Sequence, residues 1–312
     1  MIYFFLLLLS FLISLVSIYF LKKLAFKYHL YDDPSGDTLK IHKKPIPYLG
    51  GVGIFIGLVF GLVIARLWHR VSGLQSSGFI IGGIIIIFLG LWDDLKWKKF
   101  GQPALKLFCQ FVAGFLIVLV LIKIGVNFSF SVAPLIASLI AGFYIVGAMN
   151  AINMEDGMDG LAGGLTLISL LGFAALALLG HNLLMLVLTF SLVGSLIAFL
   201  IYNRHPASIF MGDNGSHFLG FILAVLAIIF TRSPIHHFFW FIGPVLIIGL
   251  PIFDSMLAVI RRLARGASPL LGDRSHFYDW LHQKGFGIRQ TVLLCCGIQV
   301  IIVAVGVIVY NL

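Results

Sequence analysis

Ten apolar runs follow one another along the 312 residues, and charge is confined to the segments between them. A helix needs roughly 20 apolar residues to cross a bilayer core, and in lipid its backbone N–H and C=O groups must be satisfied within the segment. The runs are therefore read as spanning helices at 2–22, 48–68, 78–92, 104–123, 132–150, 161–180, 182–202, 215–231, 236–258 and 289–310, the third being the shortest. Only 11% of the residues are charged, against about 25% in a soluble domain, and 60% are hydrophobic, which excludes an ordinary water-soluble core. The expected fold is all-α: a polytopic integral membrane protein of about ten helices forming one membrane-embedded domain over 1–312. The longest loop, 259–288, leaves no room for a separate soluble domain. The first run lacks the basic leader and small-residue cleavage site of a signal peptide, so it is read as a retained helix. Cys109, Cys295 and Cys296 lie inside apolar runs without metal-ligand spacing and are read as small buried hydrophobes.

The loops fall into two sets. One set, 23–47, 93–103, 151–160, 203–214 and 259–288, holds 17 of the 21 Lys and Arg when its flanks are counted. The other holds Arg66, Arg70, Lys123 and Arg232. Cytoplasmic loops carry the excess of Lys and Arg, so the first set is placed in the cytoplasm and both termini outside. All 12 Asp and Glu also fall on or beside the first set. Acidic residues do little to set topology, so their gathering needs another cause. Asp254 is the sharpest case: an acid near the end of an apolar helix is costly against lipid, and it is expected to face a wet cavity. The pattern implies a cleft at the cytoplasmic face lined by carboxylates and basic side chains together.

Each loop of that set adds chemistry. "DDPSGDTLKIHKKPIPYLGG", Asp32 to Gly51, surrounds His42 with Lys40, Lys43 and Lys44; Pro45 and Pro47 stiffen it, and Gly50–Gly51 allow close backbone approach. Basic residues ahead of a span also serve topology and lipid headgroups. In "GLWDDLKWKKFGQPALKLFCQ", Gly90 to Gln110, Asp93 and Asp94 close a span. Paired carboxylates at a membrane boundary suit a hard cation or proton transfer, and otherwise make a charge pair neutralised by Lys96, Lys98 and Lys99. Lys106 lies inside the next apolar run, which favours a functional pairing.

"NAINMEDGMDGLAGG", Asn150 to Gly164, has three carboxylates and neither Lys nor Arg. If helical, Asn153, Asp156 and Asp159 share one stripe and Glu155 points away, so the two aspartates are the functional candidates and Glu155 the expendable acid. The charge of this loop needs a metal, a ligand or another loop to balance it. In "NRHPASIFMGDNGSHFLG", Asn203 to Gly220, Asp213 sits in a glycine turn before a span, where N–H groups meet a phosphate or the acid simply caps the helix. The last loop carries Arg261, Arg262 and Arg265, then Arg274 and His276 as candidates for phosphate recognition.

Together these motifs resemble the polyprenyl-phosphate N-acetylhexosamine-1-phosphate transferases, of the glycosyltransferase family 4 type, from Asp32 to about Gly285. "NAINMEDGMDGLAGG" and "NRHPASIFMGDNGS" are the most specific parts of the likeness. The resemblance implies transfer of a sugar 1-phosphate, most simply GlcNAc-1-phosphate, from a UDP-sugar to undecaprenyl phosphate, with release of UMP. It implies Mg²⁺, replaceable by Mn²⁺, as cofactor, and membrane lipid but no nucleic acid as partner. It also implies a multi-pass place in the bacterial plasma membrane and, by analogy, a homodimer. It makes Asp93 and Asp94 the paired catalytic aspartates, Asp213 the main Mg²⁺ ligand with Asp94 beside it, and Asp156, Asp159, Lys106 and His276 further catalytic groups. It places Asn153 at the nucleotide-sugar pocket, Asn203 and Phe210 beside the uracil, and His42 with the family's loop histidines on the substrates; by their charge, Lys43 and Arg274 are expected to gather the acceptor phosphate. Loop five departs from the H-x-H-H common in the N-acetylglucosamine branch: it reads "HFYD", with Tyr278 and Asp279 in place of two histidines. Tyr48 stands where a basic residue often follows the proline, and the histidine run of the muramoyl-pentapeptide branch is absent. These departures bear on the choice of sugar, so another UDP-N-acetylhexosamine or UDP-MurNAc-pentapeptide remains the alternative donor. A transporter or lipid flippase is the alternative of another class, but carriers place charge at the midplane and often show repeats, and this chain does neither.

Overall fold

The structure, a computed structural model, describes residues 2–34, 44–97, 103–123, 134–231, 238–269 and 274–312. Its helices are α1 (Ile2–Lys27), α2 (Gly50–Leu67), α3 (Gly73–Trp92), α4 (Pro103–Lys123), α5 (Pro134–Glu155), α6 (Leu161–Leu179), α7 (Leu183–Asn203), α8 (Gly212–Phe230), α9 (Phe238–Ile248), α10 (Leu250–Ala264), the short α11 (Phe277–Gln283) and α12 (Ile288–Tyr310). Among the described residues, nine helices are long and apolar enough to cross a membrane singly, and α9 with α10 forms an apolar pair bent by 84°, a broken span or a re-entrant loop. The protein is an α-helical polytopic membrane protein. Its outward faces carry Phe4, Leu8, Leu12, Phe88, Phe143, Leu293 and Ile301, exposed in the isolated chain as lipid-facing side chains are.

Local signals explain several boundaries. The third span runs longer than its apolar core because Ser72 and Gln75 cap it reciprocally, so α3 starts at Gly73. At its other end, the segment Asp93–Trp97 continues as a π-turn that carries the two aspartates onward. Asn182 caps α7 by accepting from the Met185 N–H at 3.2 Å. The expected straight span over 236–258 is broken instead, at Gly249 (φ 68°, ψ −127°), with Pro251 opening the next helix. Gln299 of α12 makes the break tolerable inside the bundle. Its Oε1 accepts from the Leu250 N–H at 2.8 Å, and its Nε2 donates to the Ile248 carbonyl at 3.0 Å and to Ser169 Oγ at 2.9 Å.

The core is built around α8, which is buried nearly all round and packs against α5, α3, α2 and α9. Small residues let the helices approach closely. Gly220 of α8 lies against the backbone of Ala148 and Met149, and Gly57 and Gly61 of α2 lie against serines of α1 and α7. The fold is all-α as expected, with one small addition in loop one. Tyr31–Asp32 and Ile46–Pro47 form a two-residue antiparallel ribbon, with Tyr31 opposite Pro47 and Asp32 opposite Ile46. Pro47 then accepts from the Phe210 N–H at 2.7 Å, while Gly50 and Gly51 donate to the Phe210 and Met211 carbonyls, each at 3.0 Å. This lacing ties the entry to α2 onto the start of α8, at the end of the bundle where the polar loops meet.

Candidate active site

At that end of the bundle, a cavity of about 830 Å³ is lined by Lys22 and Phe26 of α1, by Asp32, residues 44–46 and Tyr48 of loop one, and by Asp94, Asn153, the turn 156–159, Asn203, residues 205–208, Phe210 and Gly212–Asp213. Five aspartates (Asp32, Asp94, Asp156, Asp159 and Asp213) and two lysines (Lys22 and Lys44) are among its lining residues. The acids outnumber the cations along this open-mouthed cavity, a balance that a further positive charge would improve.

The start of α8 organises the site. Gly212 is left-handed (φ 73°), so the chain turns sharply into the helix and its first N–H groups stay uncovered. Asp94, reaching over from the end of α3, covers them. Its Oδ1 accepts from the Asp213 N–H at 3.1 Å, and its Oδ2 accepts from the Asn214 N–H at 3.3 Å and from Asn214 Nδ2 at 2.9 Å. Asn214 also donates to the Tyr48 carbonyl at 2.8 Å. Asp213 itself is held from both sides. Its Oδ1 accepts from Asn153 Nδ2 at 2.8 Å and its Oδ2 from Lys106 Nζ at 3.4 Å. Lys106 is also ion-paired with buried Asp93, whose carboxyl lies within hydrogen-bonding reach of Asp213. Asp93 stands behind the cavity wall, whereas Asp94 and Asp213 face it.

The third loop differs from a helical stripe. α5 ends at Glu155, the chain turns through 156–160, and Gly160 (φ 81°) opens α6. Gly157 and Gly160 stop the helix, so Asn153, Asp156 and Asp159 reach the same cavity by a turn rather than by helical periodicity. Asp159 Oδ2 accepts from His205 Nδ1 at 2.7 Å and from the Ala207 N–H at 3.0 Å. Asn203 Oδ1 accepts from the Gly160 N–H at 2.9 Å, and its Nδ2 donates to the Ile209 carbonyl at 2.9 Å. Asp159 and Asn203 therefore lock loops three and four together, and Phe210 lies on the cavity wall beside them.

Loop five behaves otherwise than expected. Arg274 and His276 are not among the residues that line the cavity. Asp254 does not face a wet space: it is buried, accepting from His276 Nδ1 at 2.7 Å and the Phe277 N–H at 3.0 Å, because loop five folds back over α10 and supplies those donors. Glu155 leaves the Asp213 side as expected, yet it too is buried, in hydrogen-bonding reach of Asp254. Tyr278 stacks on His276 (5.6 Å between centroids, 4° between planes) and donates to the Met154 carbonyl at 3.2 Å, against Gly157. Burial pushes the Asp279 carboxyl above the usual range, against the lowering pull of His276 and Arg274. Burial, with the neighbouring acids, also raises the Tyr278 phenol. Thus Tyr278 packs this loop onto the back of the Asp156 turn. His42 and Lys43 lie outside the described residues.

Reasoning from sequence missed Lys22, Phe26, His205, and a buried amide–imidazole group formed by Gln110, Asn150 and His217. Lys22 looked topogenic, and His205 is flagged only by its place in "NRHP", beside Asn203.

The fold and site define a polytopic membrane protein with a carboxylate-rich cavity at one end of its helical bundle. The pattern of glycosyl transferase family 4 matches residues 76–231. A Bacillus subtilis (strain 168) protein described as a probable undecaprenyl-phosphate N-acetylglucosaminyl 1-phosphate transferase is 33% identical over 91% of this chain and 80% of its own length. The undecaprenyl-phosphate alpha-N-acetylglucosaminyl 1-phosphate transferase of Yersinia pestis is 29% identical over 96% of this chain and 82% of its own. The decaprenyl-phosphate N-acetylglucosaminephosphotransferase of Mycolicibacterium smegmatis is 30% identical over 81% and 69%. The chain belongs to glycosyl transferase family 4.

Proposed function

We propose that the protein transfers N-acetylglucosamine 1-phosphate from a UDP-sugar to undecaprenyl phosphate at the cytoplasmic face of a bacterial plasma membrane, with both termini outside. The observation that carries this reading is the convergence of Asp94, Asn153, Asp156, Asp159 and Asp213 on one cavity, with Lys106 and Asp93 directly behind it. The named activities of the relatives support the choice of donor and acceptor, and the distribution of Lys and Arg supports the orientation.

In the reaction, an oxygen of the acceptor phosphate attacks the β-phosphorus of the donor, the bond to the bridging oxygen breaks, and UMP leaves. Both substrates are anionic and the cavity wall is itself acidic, so a divalent cation fits the charge balance. Among the described residues no three His, Cys, Asp or Glu side chains are arranged to hold a metal alone. Mg²⁺, or Mn²⁺ in its place, is usually held by one or two carboxylates and completed by substrate phosphates. Asp213, with Asp94 beside it, would hold the ion, which when bound neutralises phosphate charge and stabilises the departing UMP. Asn153 keeps Asp213 in place from α5. One of Asp93 and Asp94 orients and deprotonates the acceptor phosphate: Asp94 faces the cavity at the start of α8, and Asp93 stands behind it, paired with Lys106, which turns toward the phosphates. Asp156, Asp159, Asn203 and Phe210 wall the nucleotide-sugar side, and Lys22 and Lys44 draw the acceptor phosphate to the rim.

Purified protein given UDP-GlcNAc, undecaprenyl phosphate and Mg²⁺ releases UMP, and EDTA stops the release until Mg²⁺ is restored. A panel of UDP-sugars in the same assay fixes the donor. Absence of UMP with every donor would overturn the reading.

A further inference from the structure

One helical turn inward from the candidate site lies a second polar layer. On α4, Gln110 follows Lys106 by four residues; on α8, His217 follows Asp213 by four; on α5, Asn150 precedes Asn153 by three. Residues at these spacings stack on one helix face, about one 5.4 Å turn apart. Each of the three helices therefore carries one residue of the Lys106–Asn153–Asp213 cluster and one residue of the layer beneath. Gln110 and His217 are each 1% exposed. Asn150 Nδ2 donates to Gln110 Oε1 at 2.8 Å, and Gln110 Nε2 meets His217 Nε2 at 3.2 Å.

The polarity of this chain follows from one backbone group. Asn150 Nδ2 lies 2.8 Å from the Val146 carbonyl, which can only accept. The amide nitrogen of Asn150 must face that carbonyl, so its second hydrogen is the one given to Gln110 Oε1. Gln110 is then oriented as well: its NH₂ points at His217. A donor needs an acceptor, so this polarity gives His217 Nε2 a lone pair and puts the ring proton on Nδ1, which has no hydrogen-bond partner among the described residues. The Val146 carbonyl thereby sets the orientation of two amides and the tautomer of an imidazole across three helices. Rotating or sliding any one helix breaks this chain together with the Asn153–Asp213 and Lys106–Asp213 contacts one turn above.

We propose that Gln110, Asn150 and His217 are positioning residues: a polarised hydrogen-bond chain, with His217 in its neutral Nδ1–H form, that fixes the register of α4, α5 and α8 so that Lys106, Asn153 and Asp213 converge. Its kinetic consequence rests on the transferase reading; its hydrogen-bond polarity does not.

Two measurements test it. ¹⁵N NMR of histidine-labelled wild-type protein, with His217→Gln used to assign the resonance, reads the tautomer directly. An Nδ1–H signal supports the proposal and an Nε2–H signal overturns it, whatever the enzyme turns over. In the UMP assay, His217→Leu lowers kcat about 10- to 100-fold, the scale of an approximately 1 Å misplacement, while the donor KM stays within about threefold. His217→Gln, whose amide oxygen can accept from Gln110, recovers most of kcat. Gln110→Leu combined with His217→Leu is no worse than the poorer single variant, because both cut the same chain. A His217→Leu protein that melts earlier but keeps wild-type kcat, or two substitutions whose effects simply multiply, overturns the positioning role. If the wild type releases no UMP, the transferase reading fails and the tautomer alone decides the network.

Discussion

Replacing Asp94 by Asn tests chemistry and architecture at once. The Asp94 carboxylate takes three N–H donors from the first turn of α8: Asp213 N at 3.1 Å, Asn214 N at 3.3 Å and Asn214 Nδ2 at 2.9 Å. The residue is buried with only an edge on the cavity, so water replaces little of what is lost. An Asn keeps one carbonyl oxygen. Turned toward Asn214, it leaves the Asp213 N–H facing an NH₂ group; turned the other way, it strands the two Asn214 donors. At least one buried donor is thus unsatisfied, at about 1–3 kcal/mol. Removing the negative charge from the helix N-terminus adds about 0.3–1 kcal/mol. The sum is about 1–4 kcal/mol. The assay is a thermal melt in detergent beside UMP release measured well below both midpoints. Asp94→Asn is expected to melt several degrees earlier and to lose at least about 100-fold in activity, the scale of a lost charge-stabilising group. Asn214→Ala removes one donor but leaves the carboxylate, so it lowers the midpoint with a smaller loss of activity. An unchanged melt for Asp94→Asn would refute the capping role, and near-wild-type turnover would refute the catalytic one.

Other consequences follow from particular contacts. Glu155→Gln keeps activity and most stability, since a neutral amide replaces an acid buried against Asp254, whereas Asp254→Asn loses about 1–3 kcal/mol because His276 Nδ1 and the Phe277 N–H both depend on its carboxylate; limited proteolysis of loop five reports the difference. Gln299→Leu leaves the Leu250 N–H unsatisfied at the α9–α10 break, removes one of two donors to the Ile248 carbonyl and lowers the melting midpoint, while Ser255→Ala, in the helix beyond that bend, is close to neutral. Asp279 is raised by burial, so the folded chain holds this proton more tightly than the unfolded one. Its contribution therefore favours folding at low pH and is lost as pH rises from the ordinary carboxylate value, about 4, through the folded value. Melts of Asp279→Asn across that range should show a flatter pH dependence than wild type; an identical slope would refute the assignment.

The sequence by itself determined that the chain is helical and spans a membrane many times, because runs of that length and apolarity have no other stable form in lipid. It also determined which ends of the helices carry chemistry, since charge there cannot sit against hydrocarbon. Asp94, Asn153, Asp156, Asp159, Asn203, Phe210 and Asp213 were legible in this way, and all of them line one cavity. Periodicity misled where glycine intervened. The stripe expected through Asp156 and Asp159 is a turn, because Gly160 is left-handed, and the span expected through 236–258 breaks at Gly249. Only the tertiary structure could show that Asp93 stands behind the wall on Lys106 of α4 while its neighbour Asp94 caps α8, because adjacent residues point in different directions and the partners of Asp94 are more than a hundred residues away in the chain. The same holds for Asp254 and His276, brought together by the fold of loop five, and for Asn150, Gln110 and His217, three unremarkable polar residues in apolar runs. Hydrogen-bond polarity passes between helices through space, and a linear sequence carries the donors and acceptors but not their pairing.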